Sequence, residues 1–388
     1  MTPQKKFSLP LPLQDAKTTM SDPSSLTDEA VALLRRLIAT PRTSRDEGAA
    51  ADLLYDFIAQ RQCDADGREW FSLQRDGHNL WCIARDYDAG RPTLLLNAHI
   101  DTVKPVSAWQ RDPFTPTLEG DRLYGLGSND DGASLVALLQ VFRVLVTRPQ
   151  HCNFIFLASA EEEVSGRDGA SRALKQLPPI SVALVGEPTK MQPAIAEKGL
   201  MVLDCTAHGK AGHAARDEGD NAIYHAMQDI EWFRSYRFPE TSPLLGPVKM
   251  SVTIVQAGTQ HNVVPDSCTF TVDVRSNECY TNQDIYEQVR AHVKSDVTAR
   301  SFRLNSSSIN EQHPLVQRAL ALGATLNGEP RRTFGSPTLS DQALMSWPSL
   351  KMGPGDSARS HTADEYIRIP EIRGAIEDYL TMLDGIIL

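Results

Sequence analysis

The sequence predicts an α/β fold with a smaller α+β unit set into it, and two patterns carry that expectation. Segments 94–100 (LLLNAHI), 154–159 and 182–185 are almost continuously apolar and alternate with stretches of helical period. Strands buried on both faces read this way, and helices between them imply a central, mostly parallel sheet. After Gly199 the pattern changes, and residues 201–207 alternate apolar with polar, as a strand with one wet face does. A chain of 388 residues accommodates roughly two domains.

The elements follow in order. Residues 28–40 predict a helix capped by Thr27, with Asp28 and Glu29 in its first turn and Val31, Leu34, Leu37 and Ile38 on its apolar face. A second helix is expected over 48–60 and a long one over 132–147, carrying Leu135, Leu138, Leu139 and Phe142. A shorter helix is expected near 169–176. Beyond Gly199, the strand 201–207, a helix over 221–235, antiparallel strands 249–256 and 268–274, and a helix over 282–293 make a β-α-β-β-α order, a ferredoxin-like pattern. Alternation resumes after about 307 and ends in a helix over 370–386. The chain therefore divides into a tail (1–24), one larger domain (25–199 with 307–388) and an inserted unit (200–306).

Composition narrows the function. Lys and Arg total 39 against 49 Asp and Glu, a net charge of −10. Nucleic-acid binding, which needs basic surface to displace counterions, is not expected. No run approaches the ~18 apolar residues of a membrane span, so no membrane partner is expected. The six cysteines are scattered without a C-x-x-C pair and read as small buried hydrophobes in a reducing cytoplasm. The first ~24 residues lack the apolar core of a secretory signal and read as a flexible tail, with Met20 an alternative start.

The chemistry-bearing residues sit where apolar strands end, the place where open α/β sheets assemble sites. His99 and Asp101 close the first strand, and a carboxylate two residues on can orient a metal-binding histidine. The loop Gly125–Gly132 carries Asp130 and Asp131 but lacks the spacing of a dinucleotide fingerprint, and no strand precedes it cleanly. Glu161, Glu162 and Glu163 follow the next strand directly; continued alternation sends Glu161 and Glu163 one way and Glu162 the other. Glu187 follows the third strand, and Gly353-Pro354-Gly355 precedes His361. Two histidines and several carboxylates are the composition of a two-zinc hydrolytic site.

Seven motifs in order, NAHIDTV (97–103), YGLGSNDDG (124–132), SAEEEVSG (159–166), VGEPT (185–189), GKAGHAA (209–215), NVVPDSCTFTVDVR (262–275) and GPGDSARSHTADEY (353–366), resemble the dinuclear zinc aminoacylase/carboxypeptidase family. The resemblance implies that His99, Asp130 and Glu187 hold one zinc and that Asp130, Glu163 and His361 hold the other. Two Zn²⁺ per subunit are thus expected, with Co²⁺ able to substitute. It implies Glu162 as general base and Asp101 as the partner of His99. In the inserted unit, a lid and dimerisation domain, His213 would reach the active site of a second subunit. Asn262 and Arg275 would bind the substrate carboxylate, and the loop with Gly353 and Gly355 would line the pocket. Asp356 would pair with a cationic substrate side chain and Arg359 with a succinyl carboxylate. The expected activity is hydrolysis of a small N-acyl amino acid, N-acetyl- or N-succinylornithine first, with succinyl-diaminopimelate, acetylcitrulline or a dipeptide as alternatives. The family's Gly-Arg-Gly-x-x-Asp-x-Lys loop is altered here: Leu126 replaces the Arg and the Lys is missing.

Overall fold

The three apolar segments form the middle of one mixed sheet. The structure is a computed structural model and describes residues 22–388; most of the expected tail lies outside the described residues. The sheet runs in the order Phe71–Asp76, Asn79–Ala84, Asn153–Ser159, Thr93–His99, Val182–Val185, Ser349–Lys351, Ala194–Glu197, Ser307–Ser308, with Phe334–Ser336 also beside Ala194–Glu197. The four strands from Asn153–Ser159 to Ser349–Lys351 are mutually parallel. Every residue of Thr93–His99, Asn153–Ser159 and Val182–Val185 is buried, which is why these segments read as unbroken apolar runs. Their parallel alignment brings His99, the Glu161–Glu163 run and Glu187 out at one edge of the sheet.

Helices cover the sheet. Gly132–Leu145 is buried along its whole length and packs against Pro23–Ile38 and Ile369–Leu383. The first helix starts earlier than its sequence suggested. Asp22 is its N-cap, accepting the Ser24 N–H, and Pro23 occupies the first turn. Thr27, the expected cap, is instead buried inside the helix, donating to the Pro23 carbonyl at 2.6 Å. The expected helix near 169–176 is one α-turn, Ala170–Ala173, followed by a 3₁₀ turn. A short strand, Arg122–Tyr124, does precede the Gly125 loop, contrary to expectation. It belongs to a separate three-stranded sheet with Thr117–Glu119 and Tyr366–Arg368, so no dinucleotide-binding unit forms.

After Glu197 the chain leaves the main sheet and rejoins it at Ser307. Between lies an antiparallel sheet ordered Lys249–Ala257, Ser267–Arg275, Met201–His208, Asp296–Ala299. The helices Ala222–Ser235 and Asn282–His292 complete it. The last strand, only four residues long, was not anticipated; it makes the order β-α-β-β-α-β. Met201–His208 buries alternate residues, and its core of Leu203, Cys205, Phe233, Phe270, Val272 and Ile285 is separate from the main one. All six cysteines are free. Cys82, Cys152, Cys205 and Cys268 are buried, whereas Cys63 is exposed. Among the described residues no helix is long and apolar enough to cross a membrane.

Candidate metal centre

His99 is the last residue of its strand, and its two ring nitrogens face different tasks. Nδ1 lies 2.9 Å from the Asp101 backbone carbonyl and 3.5 Å from its carboxylate. Nε2 faces Asp130 at 3.2 Å and Glu162 at 3.9 Å. The Asp101 carboxylate is committed elsewhere as well: it accepts the N–H groups of Glu162 (3.0 Å) and Glu163 (3.2 Å) and the Ser44 hydroxyl (2.6 Å). Asp101 therefore pins the turn that carries both glutamates. The strand does not continue past Ser159; Glu161 is left-handed (φ 54°) and Glu162–Val164 is a 3₁₀ turn. Side-chain alternation is lost, so Glu162 and Glu163 both face the site. Glu161 instead donates its N–H to Glu47.

Asp130 is positioned from the opposite end of the chain. The buried Glu365 carboxylate accepts the N–H groups of Gly127 (2.9 Å), Asn129 (2.8 Å) and Asp130 (2.9 Å), and Arg42 donates to the Gly127 carbonyl at 2.8 Å. Glu365 lies within the 353–366 motif, four residues after His361, but nothing local in the sequence marks it as the holder of this loop. His361 is half exposed, with Nε2 3.0 Å from Glu163 and 3.6 Å from Asp130.

The electrostatics show what the cluster lacks. Burial pushes the Glu162 carboxyl well above its ordinary range, and the charges of Glu187, Asp341 and Glu163 add to this. Burial, with the Asp130 charge, pushes Glu187 up to about 8. His361 is raised to about 9, chiefly by its hydrogen bond to Glu163. For His99, burial favours the neutral ring but is outweighed by the hydrogen bonds to Asp101 and Asp130 and by the surrounding carboxylates, which raise it well above its usual value. Such a group of acids is short of positive charge. Donor atoms of His99, Asp130 and Glu163, and of His99, Glu162 and Glu187, lie within 4.8 Å of one another. The donor set of imidazole and carboxylate fits divalent metal.

A buried imidazole–carboxylate cluster at the carboxyl edge of a parallel sheet defines a metal-dependent hydrolase. The chain belongs to Peptidase family M20/M25/M40, whose sequence profile matches residues 95–384. It is 26% identical to an acetylornithine deacetylase of Edwardsiella ictaluri, over 87% of this chain and 92% of that one. It is also 26% identical to a succinyl-diaminopimelate desuccinylase of Acidiphilium cryptum, over 95% and 99%. Among solved structures it resembles a tripeptidase from Staphylococcus aureus (TM-score 0.71, 20% identity, 92% and 98% covered). A metallo-carboxypeptidase from Sulfolobus solfataricus is similar in the same way (0.67, 18%, 92% and 99%).

A cavity of about 630 Å³ opens on the cluster, lined by Asp130, Glu162, Glu163, Glu187 and His361 among others. Several residues expected at the site do not line it. His213 and Asn262 are exposed, on or beside the two-stranded ribbon of Gly212–His213 and Val263–Val264. Arg275 is forked onto Asp273 at 2.8 and 3.1 Å. Gly353 and Gly355 serve close packing: a Cβ on Gly353 would lie 2.5 Å from the Glu187 carbonyl, and Gly355 (φ 88°) would clash with Asn129 at 2.2 Å. Arg359, expected on a substrate carboxylate, is held by Glu371 at 2.7 and 3.1 Å and lies over the Tyr366 ring. Asp356, expected to meet a cationic substrate, does line the cavity, and pairs there with Lys190 at 3.0 Å.

Proposed function

We propose that the protein is a cytoplasmic, two-zinc deacylase that hydrolyses N-acetyl- or N-succinyl-L-ornithine to L-ornithine in arginine biosynthesis. The observation that carries this reading is the Glu162 carboxylate, set among imidazole and carboxylate donors of metal type in a cavity sized for a small acylated amino acid. The names of the 22–27% identical relatives, acetylornithine deacetylase and succinyl-diaminopimelate desuccinylase, support the reaction class. The latter keeps succinyl-diaminopimelate as the second reading.

In this mechanism His99, Asp130 and Glu187 would hold one ion, and Asp130, Glu163 and His361 the other. Two Zn²⁺ would acidify a water towards a pKa of roughly 7 and polarise the acyl carbonyl. Glu162 takes the proton of the attacking water as the carbon–oxygen bond forms. It then delivers that proton to the amide nitrogen as the carbon–nitrogen bond breaks. Its turn is held by Asp101, so the carboxylate stays in place through both transfers. His213 of a second subunit donates to the developing oxyanion, and Asn262 and Arg275 hold the substrate carboxylate once Arg275 exchanges Asp273 for it. A panel of N-acetylornithine, N-succinylornithine, N-acetylcitrulline, succinyl-diaminopimelate and dipeptides tests the reading. Highest kcat/KM is expected on an N-acylornithine; turnover of dipeptides alone would reject it.

The inserted unit, as lid and dimerisation domain, supplies that second subunit. The open edge of Lys249–Ala257 supports this: Ile254 and Val255 are 50% and 53% exposed, and Tyr224 and Met227 on the helix packed against that strand are also bare. Such an edge invites strand pairing. Val255→Lys is expected to shift the protein from dimer to monomer in sedimentation and to reduce turnover with it. A monomeric variant of full activity would contradict His213 acting across the interface.

A further inference from the structure

The cavity wall carries cations as well as acids: Lys190, Arg332 and Lys351. Two of these are already matched. Lys351 is buried against Glu197 at 2.9 Å, and Lys190 pairs with Asp356 at 3.0 Å. Arg332 is not: among the described residues its guanidinium has no hydrogen bond and no ion pair. Its backbone, however, is firmly held. Gln192 accepts the Arg332 N–H at 2.8 Å. The preceding Arg331 is buried, donating to the Met191 carbonyl and paired with Asp378. Two residues on, Phe334 begins the strand beside Ala194–Glu197.

An exposed, unmatched guanidinium at the wall of a substrate cavity, carried on a backbone held by Gln192, offers a fork for a carboxylate. The neighbouring wall is apolar, formed by Phe334, Leu339 and Pro188, and suits a short methylene chain. An acetyl group offers Arg332 nothing, and the ammonium of an ornithine side chain has the wrong sign. An acyl arm ending in a carboxylate satisfies both features. Resting on the deacylase reading above, we propose that Arg332 binds the terminal carboxylate of the acyl group, making half-amides of dicarboxylic acids such as succinate the preferred substrates.

The test compares kcat/KM on N-succinylornithine and N-acetylornithine for the wild-type protein, Arg332→Ala and Arg332→Lys. Arg332→Ala is expected to lose about tenfold or more on the succinyl compound, as removal of a charge-assisted hydrogen bond does. On the acetyl compound it should lose less than about threefold, and Arg332→Lys should recover part of the succinyl activity. Equal losses on both compounds, or no loss on either, would overturn the proposal. Should the wild-type protein cleave neither, the deacylase reading falls, and calorimetry of the metal-loaded protein with succinate and butyrate decides the subsite alone. Tighter binding of succinate that disappears in Arg332→Ala upholds it; no such difference overturns it.

Discussion

Glu162→Gln is expected to lower kcat on an N-acyl substrate by about 10²–10⁴-fold while leaving metal content at the wild-type level. The glutamine keeps the shape of the side chain, and the turn beneath it is held by backbone donation to Asp101, which the substitution does not touch. What disappears is a carboxylate able to take a proton and return it. Parallel measurement of kcat and of metal by elemental analysis separates this role from that of a metal ligand. A variant that keeps near-normal turnover would remove Glu162 from the reaction, and one that loses metal would make it a ligand.

Asp130→Ala carries the second large effect. Asp130 faces both His99 and His361, at 3.2 and 3.6 Å, and is the carboxylate that the proposed mechanism shares between two ions. Its removal is expected to cut metal content below that of the wild type and to reduce turnover by about a thousandfold or more. Stability provides an independent readout. A ligand that binds only the folded state, at a hundredfold excess over its Kd, adds about 2.7 kcal/mol. Added Zn²⁺ should therefore raise the Tm of the wild-type protein clearly and that of Asp130→Ala little. An equal rise in both would show that the metal binds elsewhere.

What the chain made legible depends on distance along it. His99 and Glu187 could be placed because each ends or follows a fully buried strand, and such strands are visible as apolar runs. The facing of Glu161–Glu163 is not legible in the sequence, because alternation holds only if the strand continues, and it ends at Ser159 with φ turning positive at Glu161. Thr27 is a plausible cap by composition, yet Asp22 with Pro23 starts the helix five residues earlier. The strands Ser307–Ser308, Phe334–Ser336 and Ser349–Lys351 span two or three residues each, too short for any period to appear. Pairing was the least legible property. Nothing local marks Arg359 as closed by Glu371 while Arg332 stays open, because both outcomes depend on which chain segments meet in space.

The Glu365 clamp bears on how the molecule is born. The loop it holds begins at Gly125, and both Glu365 and His361 emerge from the ribosome more than two hundred residues later. Until then the nascent chain holds His99 and the four acids Asp130, Glu162, Glu163 and Glu187 with neither the final imidazole nor the carboxylate that orders the Asp130 loop. Contacts of such sequence separation form late and slowly. The cluster is thus completed only once His361 and Glu365 have been made, and under the proposed ligand set a chain interrupted before His361 has no finished site with which to capture metal.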